Sequence, residues 1–157
     1  MKEIETTVVL CSSLSKKKVD MLKRCKSIPS FYISVTGWRW DSIINSAQYS
    51  IEVGFEIEEN VLVMQTEKRF SELRKLYAEI LSFFNHQHIP KFPQRRIFMN
   101  SDPDVIRERQ LALNDFVMKV STINGINMFS PFIRFFSLEK LQEKWNHYRV
   151  TQNTLFK

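Results

Sequence analysis

Only three glycines and two cysteines occur among the 157 residues, and no apolar run approaches the roughly 18 residues of a membrane-spanning helix. So few glycines leave no Gly-rich phosphate loop and no nucleophile elbow, so an enzyme is not expected. Cys11 and Cys25 form no C-x-x-C pair and lie in no Cys/His cluster; neither a metal nor another cofactor is expected, and free thiols in a reducing compartment are the simplest reading. In the opening MKEIETTVVLC, Glu3 and Glu5 precede an apolar run too short for a signal-peptide core. A cytoplasmic chain is expected, with any membrane contact peripheral.

What is present is positive charge and phenylalanine. The net charge of +6 and pI near 9.4 favour a polyanionic partner without choosing between nucleic acid, anionic lipid and acidic protein. Thirteen Phe stand out in an otherwise ordinary soluble composition.

Residues 1–27 read as a basic N-terminal extension, flexible or weakly helical, because 16-KKKVDMLKRCK-26 is dense in Lys and Arg and shows little pattern for a core. From Phe31 the apolar residues alternate: Phe31, Ile33 and Val35 share one face of a strand that Gly37 is expected to end. Tyr49, Ile51, Val53, Phe55 and Ile57 form a second strand, and Glu59-Asn60 turns the chain into a third, 61-VLVMQTEKRF-70. Short connections between sequential strands imply an antiparallel meander.

After Ser71, a credible N-cap, Leu73, Leu76, Tyr77, Ile80, Leu81 and Phe84 recur at helical spacing. A long irregular stretch with two prolines follows, 85-NHQHIPKFPQRRIFMNS-101. Asp102-Pro103 opens a second helix to about Ser121. Ser130-Pro131 opens a short helix over 131–136, and Ser137 one over roughly 138–150, with Leu138, Leu141, Trp145 and Tyr148 as its stripe. The expected fold class is α+β: a three-stranded antiparallel meander packed against a helical subdomain, with a proline-containing loop between the first two long helices. The domain spans 28–140, followed by a C-terminal helical extension at 141–157.

One cation breaks the pattern of the second helix. At 100° per residue Arg109 falls in the sector of Ile106, Leu113, Phe116, Val117 and Val120. A guanidinium there must snorkel, pair with a carboxylate, or line a pocket that takes an anion. Two further cationic places lie one element apart from it: Arg69 beside Phe70 at a strand end, and Arg95-Arg96 in the proline loop. A compact fold brings such groups to one cleft, where the planar fork of arginine suits phosphate and Phe70 offers a flat face to a ring.

These residues resemble the PX (phox homology) phosphoinositide-binding domain of sorting nexins and related proteins, over roughly residues 28–140. The segment 68-KRFSEL-73 is similar to the family's strand-end motif, with Leu73 in place of its usual Phe. The segment 90-PKFPQR-95 resembles P-x-x-P-x-K with Arg95 for Lys, and 96-RIFMNSDPDVIRERQLALNDF-116 resembles the following loop and helix. The resemblance implies that Arg69 binds the 3-phosphate of an inositol lipid, Phe70 packs under its ring, Arg95 meets the 1-phosphate and Arg109 bonds the 4- and 5-hydroxyls. Lys68, Ser71 and Arg96 are possible accessory contacts. It further implies phosphatidylinositol 3-phosphate as ligand, endosomal membranes as location, and trafficking or protein sorting as role, with trafficking proteins as further partners.

Ile97, Phe98 and Met99 are three consecutive apolar residues in that loop, expected to insert into the membrane, with Phe98 folding back onto the domain as the other reading. His86 and His88 read as solvated loop residues or as pH sensors, and Trp38 and Trp40 as a sheet-edge cover or an interfacial patch. The alternative function is a PX-like protein-interaction module, docking through the aromatic helix 131–148 or the tryptophans. Nucleic-acid binding lacks a motif: aromatics are not interleaved with cations across a sheet.

Overall fold

The computed structural model describes residues 5–85, 87–95 and 100–155, with side chains to residue 151. Four antiparallel strands, β1 (Thr6–Leu10), β2 (Phe31–Asp41), β3 (Ser46–Ile57) and β4 (Asn60–Arg69), form one sheet in the order β1-β4-β3-β2. Five α-helices are described: α1 (Lys16–Arg24), α2 (Phe70–Phe83), α3 (Pro103–Val120), α4 (Ser130–Phe135) and α5 (Leu138–Leu155). The α+β class and the meander β2-β3-β4 are as expected, with one strand more.

That strand corrects the reading of the N-terminal segment. β1 pairs with β4 from Thr6↔Met64 to Leu10↔Asn60, and Ser15 caps α1 by accepting from the Lys18 N–H. Leu22 of α1 packs with Tyr32, Val61 and Val63 into a second apolar cluster on the face of the sheet away from the other helices. Lys18 Nζ reaches Glu52 Oε2 at 2.6 Å, and the Tyr32 hydroxyl donates to the same oxygen at 2.6 Å. Residues 5–24 are thus folded onto the sheet rather than forming a loose lead. Their lysines masked the pattern, because only Val9, Cys11, Leu14, Met21 and Leu22 carry the apolar side of the segment.

The main core lies between the other face and α2–α5. It is built from the alternating residues of β2–β4 together with Leu73, Leu76 and Ile80 of α2 and Ile106, Leu113, Phe116 and Val117 of α3. Leu73, the departure from the family motif, is fully buried there. β2 does not end at Gly37: a bulge between Val35 and Gly37 inserts one residue and the strand continues, so that Trp38 faces Tyr49 and packs on the core. Phe132, Phe136, Leu141 and Trp145 are also core residues, and the Trp145 indole donates to the Glu56 carbonyl at 2.9 Å. One side of α4 and of α5 is therefore given to the core, and α5 runs straight through the 140/141 boundary.

Candidate functional site

α2 begins two residues earlier than its sequence signals: Arg69, not Ser71, is the N-cap, and its backbone N–H donates to Glu72 Oε1 at 3.0 Å. Glu72 at the third helical position supplies this reverse half of a capping box, so Ser71 is left exposed in the first turn. The consequence is positional. The strand ends and the helix starts between Arg69 and Phe70, which holds both side chains at one end of the sheet.

Phe70 is the hinge of the site. The Arg109 guanidinium lies 4.2 Å from its ring centroid, a cation–π stack, and Phe92 from the proline loop packs 5.1 Å from it. Phe92 in turn stacks on Tyr77 at 5.2 Å and meets Phe116 edge-on at 5.1 Å. One aromatic side chain between Pro90 and Pro93 thus pins the loop against α2 and α3. Arg109 meets its predicted inward position: its Nη2 donates to Asn100 Oδ1 at 3.0 Å, and its charge acts on the buried Tyr49 hydroxyl. Burial pushes the Tyr49 hydroxyl up from the usual tyrosine range, while the Arg109 charge and hydrogen bond pull against that shift.

Of the three fates open to Arg109, the carboxylate pair is not the one adopted: no ion pair involves it among the described residues. Its Nε is buried with no protein partner, and so is Gln48 Oε1, which lies on β3 directly across from Arg69. Orphaned buried polar atoms are rare, and the Arg109 Nε marks an incompletely satisfied polar position beside Phe70.

Arg69 itself is loosely held. Its Nε lies 3.7 Å from Glu72 Oε1 with 43% of the side chain exposed, a contact weak enough to exchange for a better anion. Lys68 turns the other way, with Nζ 4.7 Å over the Phe135 ring. Arg95 is exposed at the end of the described part of the loop. Arg96, Ile97, Phe98 and Met99, and with them the expected insertion residues, lie outside the described residues, as does His86. The structure thus stacks Arg109 on Phe70, next in the chain to Arg69, whose described side-chain contact is with Glu72, and leaves Arg95 and Lys68 outside that stack. One cleft of the described surface, of about 820 Å³, lies elsewhere, between the C-terminal ends of α1 and α3.

Sequence reasoning missed Tyr49, Gln48, Phe92 and Asn100. Tyr49 was read only as a core position of its strand, and Phe92 only as a spacer between prolines. Gln48 and Asn100 carry no pattern that distinguishes them from any polar residue.

A family model described as "PX domain" matches residues 59–139, half of the chain, and the chain belongs to the PX domain family. The fold is similar to that of a designed CISK-PX domain, at TM-score 0.58 and 13% identity over 66% of this chain and 95% of that one. It is also similar to the mouse SNX19 PX domain with bound sulphate ion, at TM-score 0.51 and 15% identity over 68% of this chain and 94% of that one. Comparison with curated protein sequences gave no match. Family membership defines the general class: a phosphoinositide-binding, membrane-targeting module that associates peripherally. No described helix is long and apolar enough to cross a membrane.

Proposed function

We propose that the chain reads phosphatidylinositol 3-phosphate on endosomal membranes and serves membrane trafficking or protein sorting, as a binding module rather than an enzyme. The observation that carries this is Arg109, a half-hidden guanidinium stacked on Phe70, which follows Arg69 in the chain, with no carboxylate paired to it among the described residues. Such a charge costs stability unless an anion or a polar ligand completes it.

In this reading Arg69 leaves Glu72 and takes the 3-phosphate in paired, charge-assisted hydrogen bonds. Arg109, held level by Phe70 and Tyr49, donates to the ring hydroxyls, and Arg95 meets the 1-phosphate from the loop. One face of Phe70 already carries Arg109, so the inositol ring packs on the edge of this stack rather than beneath a bare phenyl face. Lys68, over Phe135, adds long-range charge rather than a direct contact. The fold neighbour with bound sulphate is consistent with an anion site in this architecture.

The test is titration calorimetry with soluble inositol 1,3-bisphosphate and inositol 1,4-bisphosphate. The native chain binds the first in preference. Arg69→Ala loses about 1.5–3 kcal/mol of charge-assisted bonding, roughly ten- to a hundredfold in affinity. Equal affinity for the two head groups would refute the selectivity, and undiminished binding in Arg69→Ala would remove Arg69 from the site.

A further inference from the structure

The sheet has two edges, and the fold treats them differently. On the β2 edge, α3 packs alongside: Asn114 Oδ1 accepts from the Val35 N–H at 2.8 Å and from the Ser34 hydroxyl at 3.0 Å, and the bulge between Val35 and Gly37 interrupts the strand. The other edge is β1, whose sequence TTVVL holds no charge, proline or glycine, and which no described strand flanks on its outer side. An edge without lysine, proline or a bulge is a template for one more strand.

Register shows what β1 offers. It pairs with β4 without interruption from Thr6↔Met64 to Leu10↔Asn60, and next in line the Cys11 N–H donates to the Glu59 carbonyl at 2.8 Å. Bonding alternates along an antiparallel ladder, so Val9 and Thr7 also turn their backbone groups to β4, while Thr6, Val8 and Leu10 turn theirs outward. Of these groups the Leu10 carbonyl is taken, by the Ser13 hydroxyl at 2.6 Å. The side chains of Val8 and Leu10 share the face opposite Val9, which packs on the Leu22 cluster, and they are 42% and 58% exposed. At the Leu10 end a cleft of about 480 Å³ is lined by Val19 and Leu22 together with Glu56, Glu58 and Glu59. None of these carboxylates has an ion pair among the described residues, and Lys23 is the one described cation lining the cleft. The Cys11 thiol registers their charge: burial first, then Glu56 and Glu59, push it up from the usual thiol range.

We propose that the outer edge of β1 docks an extended segment of a partner protein, one with apolar residues at alternate positions and Lys or Arg where it passes Glu56, Glu58 and Glu59. Such a segment adds a strand to the sheet. Main-chain bonds to Thr6, Val8 and Leu10 hold it, its apolar residues cover Val8 and Leu10, and its cations meet the carboxylates. Charge argues against a second copy of this chain in the same place. Antiparallel pairing of two β1 strands about Val8 sets Glu5 of each against Cys11 of the other, beside Glu58 and Glu59, with like charges at both ends. The Leu10 end lies across from Asn60, about 30 Å along β4 from Arg69, so docking leaves the Arg69 end of the sheet free and does not depend on the head-group reading.

The probes are two synthetic peptides of alternating valine and threonine, one ending in two lysines and the other in two glutamates, titrated against the isotope-labelled full chain and followed by its amide NMR signals. The lysine peptide shifts the Thr6, Val8 and Leu10 amides and binds about tenfold more tightly than the glutamate peptide. Val8→Pro removes one outward N–H, leaves the bonds to β4 in place and abolishes that binding, with the urea midpoint as the check on the fold. Because proline also strains so short a strand, Glu59→Lys is the second variant: on the turn surface it leaves the fold intact and narrows or reverses the preference between the peptides. No binding of either peptide, equal binding of both, shifts confined to other elements, or a preference unchanged in Glu59→Lys overturns the proposal. A native dimer in sedimentation that Val8→Pro converts to monomer would give the edge to a second copy and overturn it as well.

Discussion

Replacing Arg109 with methionine separates what this residue does for the fold from what it does for binding. Three attractions are lost. The guanidinium 4.2 Å over Phe70 contributes about 1–2 kcal/mol, the bond to the exposed Asn100 about 1 kcal/mol, and the contact with the buried Tyr49 hydroxyl about 1 kcal/mol. One penalty also disappears, because the buried and unpartnered Nε costs about 1–3 kcal/mol. The methionine chain keeps apolar contact with Phe70, so the net loss is no more than about 3 kcal/mol, read as a modest shift of the urea unfolding midpoint. Head-group affinity, measured by calorimetry on the same sample, falls at least tenfold, since a charged donor is lost with nothing to replace it. A loss above about 4 kcal/mol would make Arg109 a structural keystone of the kind found in broken buried ion pairs. Unchanged head-group affinity in the folded variant would refute its place in the site.

Two further outcomes follow from the layer that the sequence concealed. A chain beginning at residue 28 exposes Tyr32, Val61 and Val63 and removes the β1 pairing, so it melts well below the full chain, by more than about 3 kcal/mol in urea; equal stability would show that residues 5–24 are dispensable to the fold. Burial and the Glu52 carboxylate push the Tyr32 hydroxyl far up, and burial raises Tyr49. Both therefore keep their protons in the folded chain at pH values where the unfolded chain, ionising near pH 10, gives them up. Their contribution is fully present below about pH 10 and declines above it, by at most about 1.4 kcal/mol per pH unit for each tyrosine. Urea midpoints measured from about pH 9 to 11 show this decline, which is shallower in Tyr32→Phe; a flat profile contradicts it.

Legibility tracked periodicity. Alternation in β2–β4 and the 3.6-residue spacing of α2 and α3 were readable because each element buries one side, and the side of Arg109 followed from counting along its helix. The Asp102-Pro103 start of α3 was equally direct, with Asp102 accepting from the Asp104 N–H. β1 and α1 were missed for opposite reasons. β1 is a short edge strand with a weak alternation signal, and α1 spends its lysines on solvent while a single fully buried residue, Leu22, anchors it. A cue was available in 61-VLVM-64, whose unbroken apolar run signals a strand covered on both faces. At the site, charge and aromaticity identified Arg69, Phe70 and Arg109, but the stack between the last two depends on side-chain direction that spacing alone does not give. The bulge beyond Val35 likewise reverses which residues face the core, and with it the role of Trp38.

The central claim is selective recognition of one head group through Arg69. Flotation of the full chain with vesicles carrying each phosphoinositide in turn, at equal total charge and about 0.15 M salt, tests it most directly, with Arg69→Ala alongside. Capture confined to phosphatidylinositol 3-phosphate and lost in the variant is the predicted result. Capture that follows charge alone, or that survives Arg69→Ala, would contradict it.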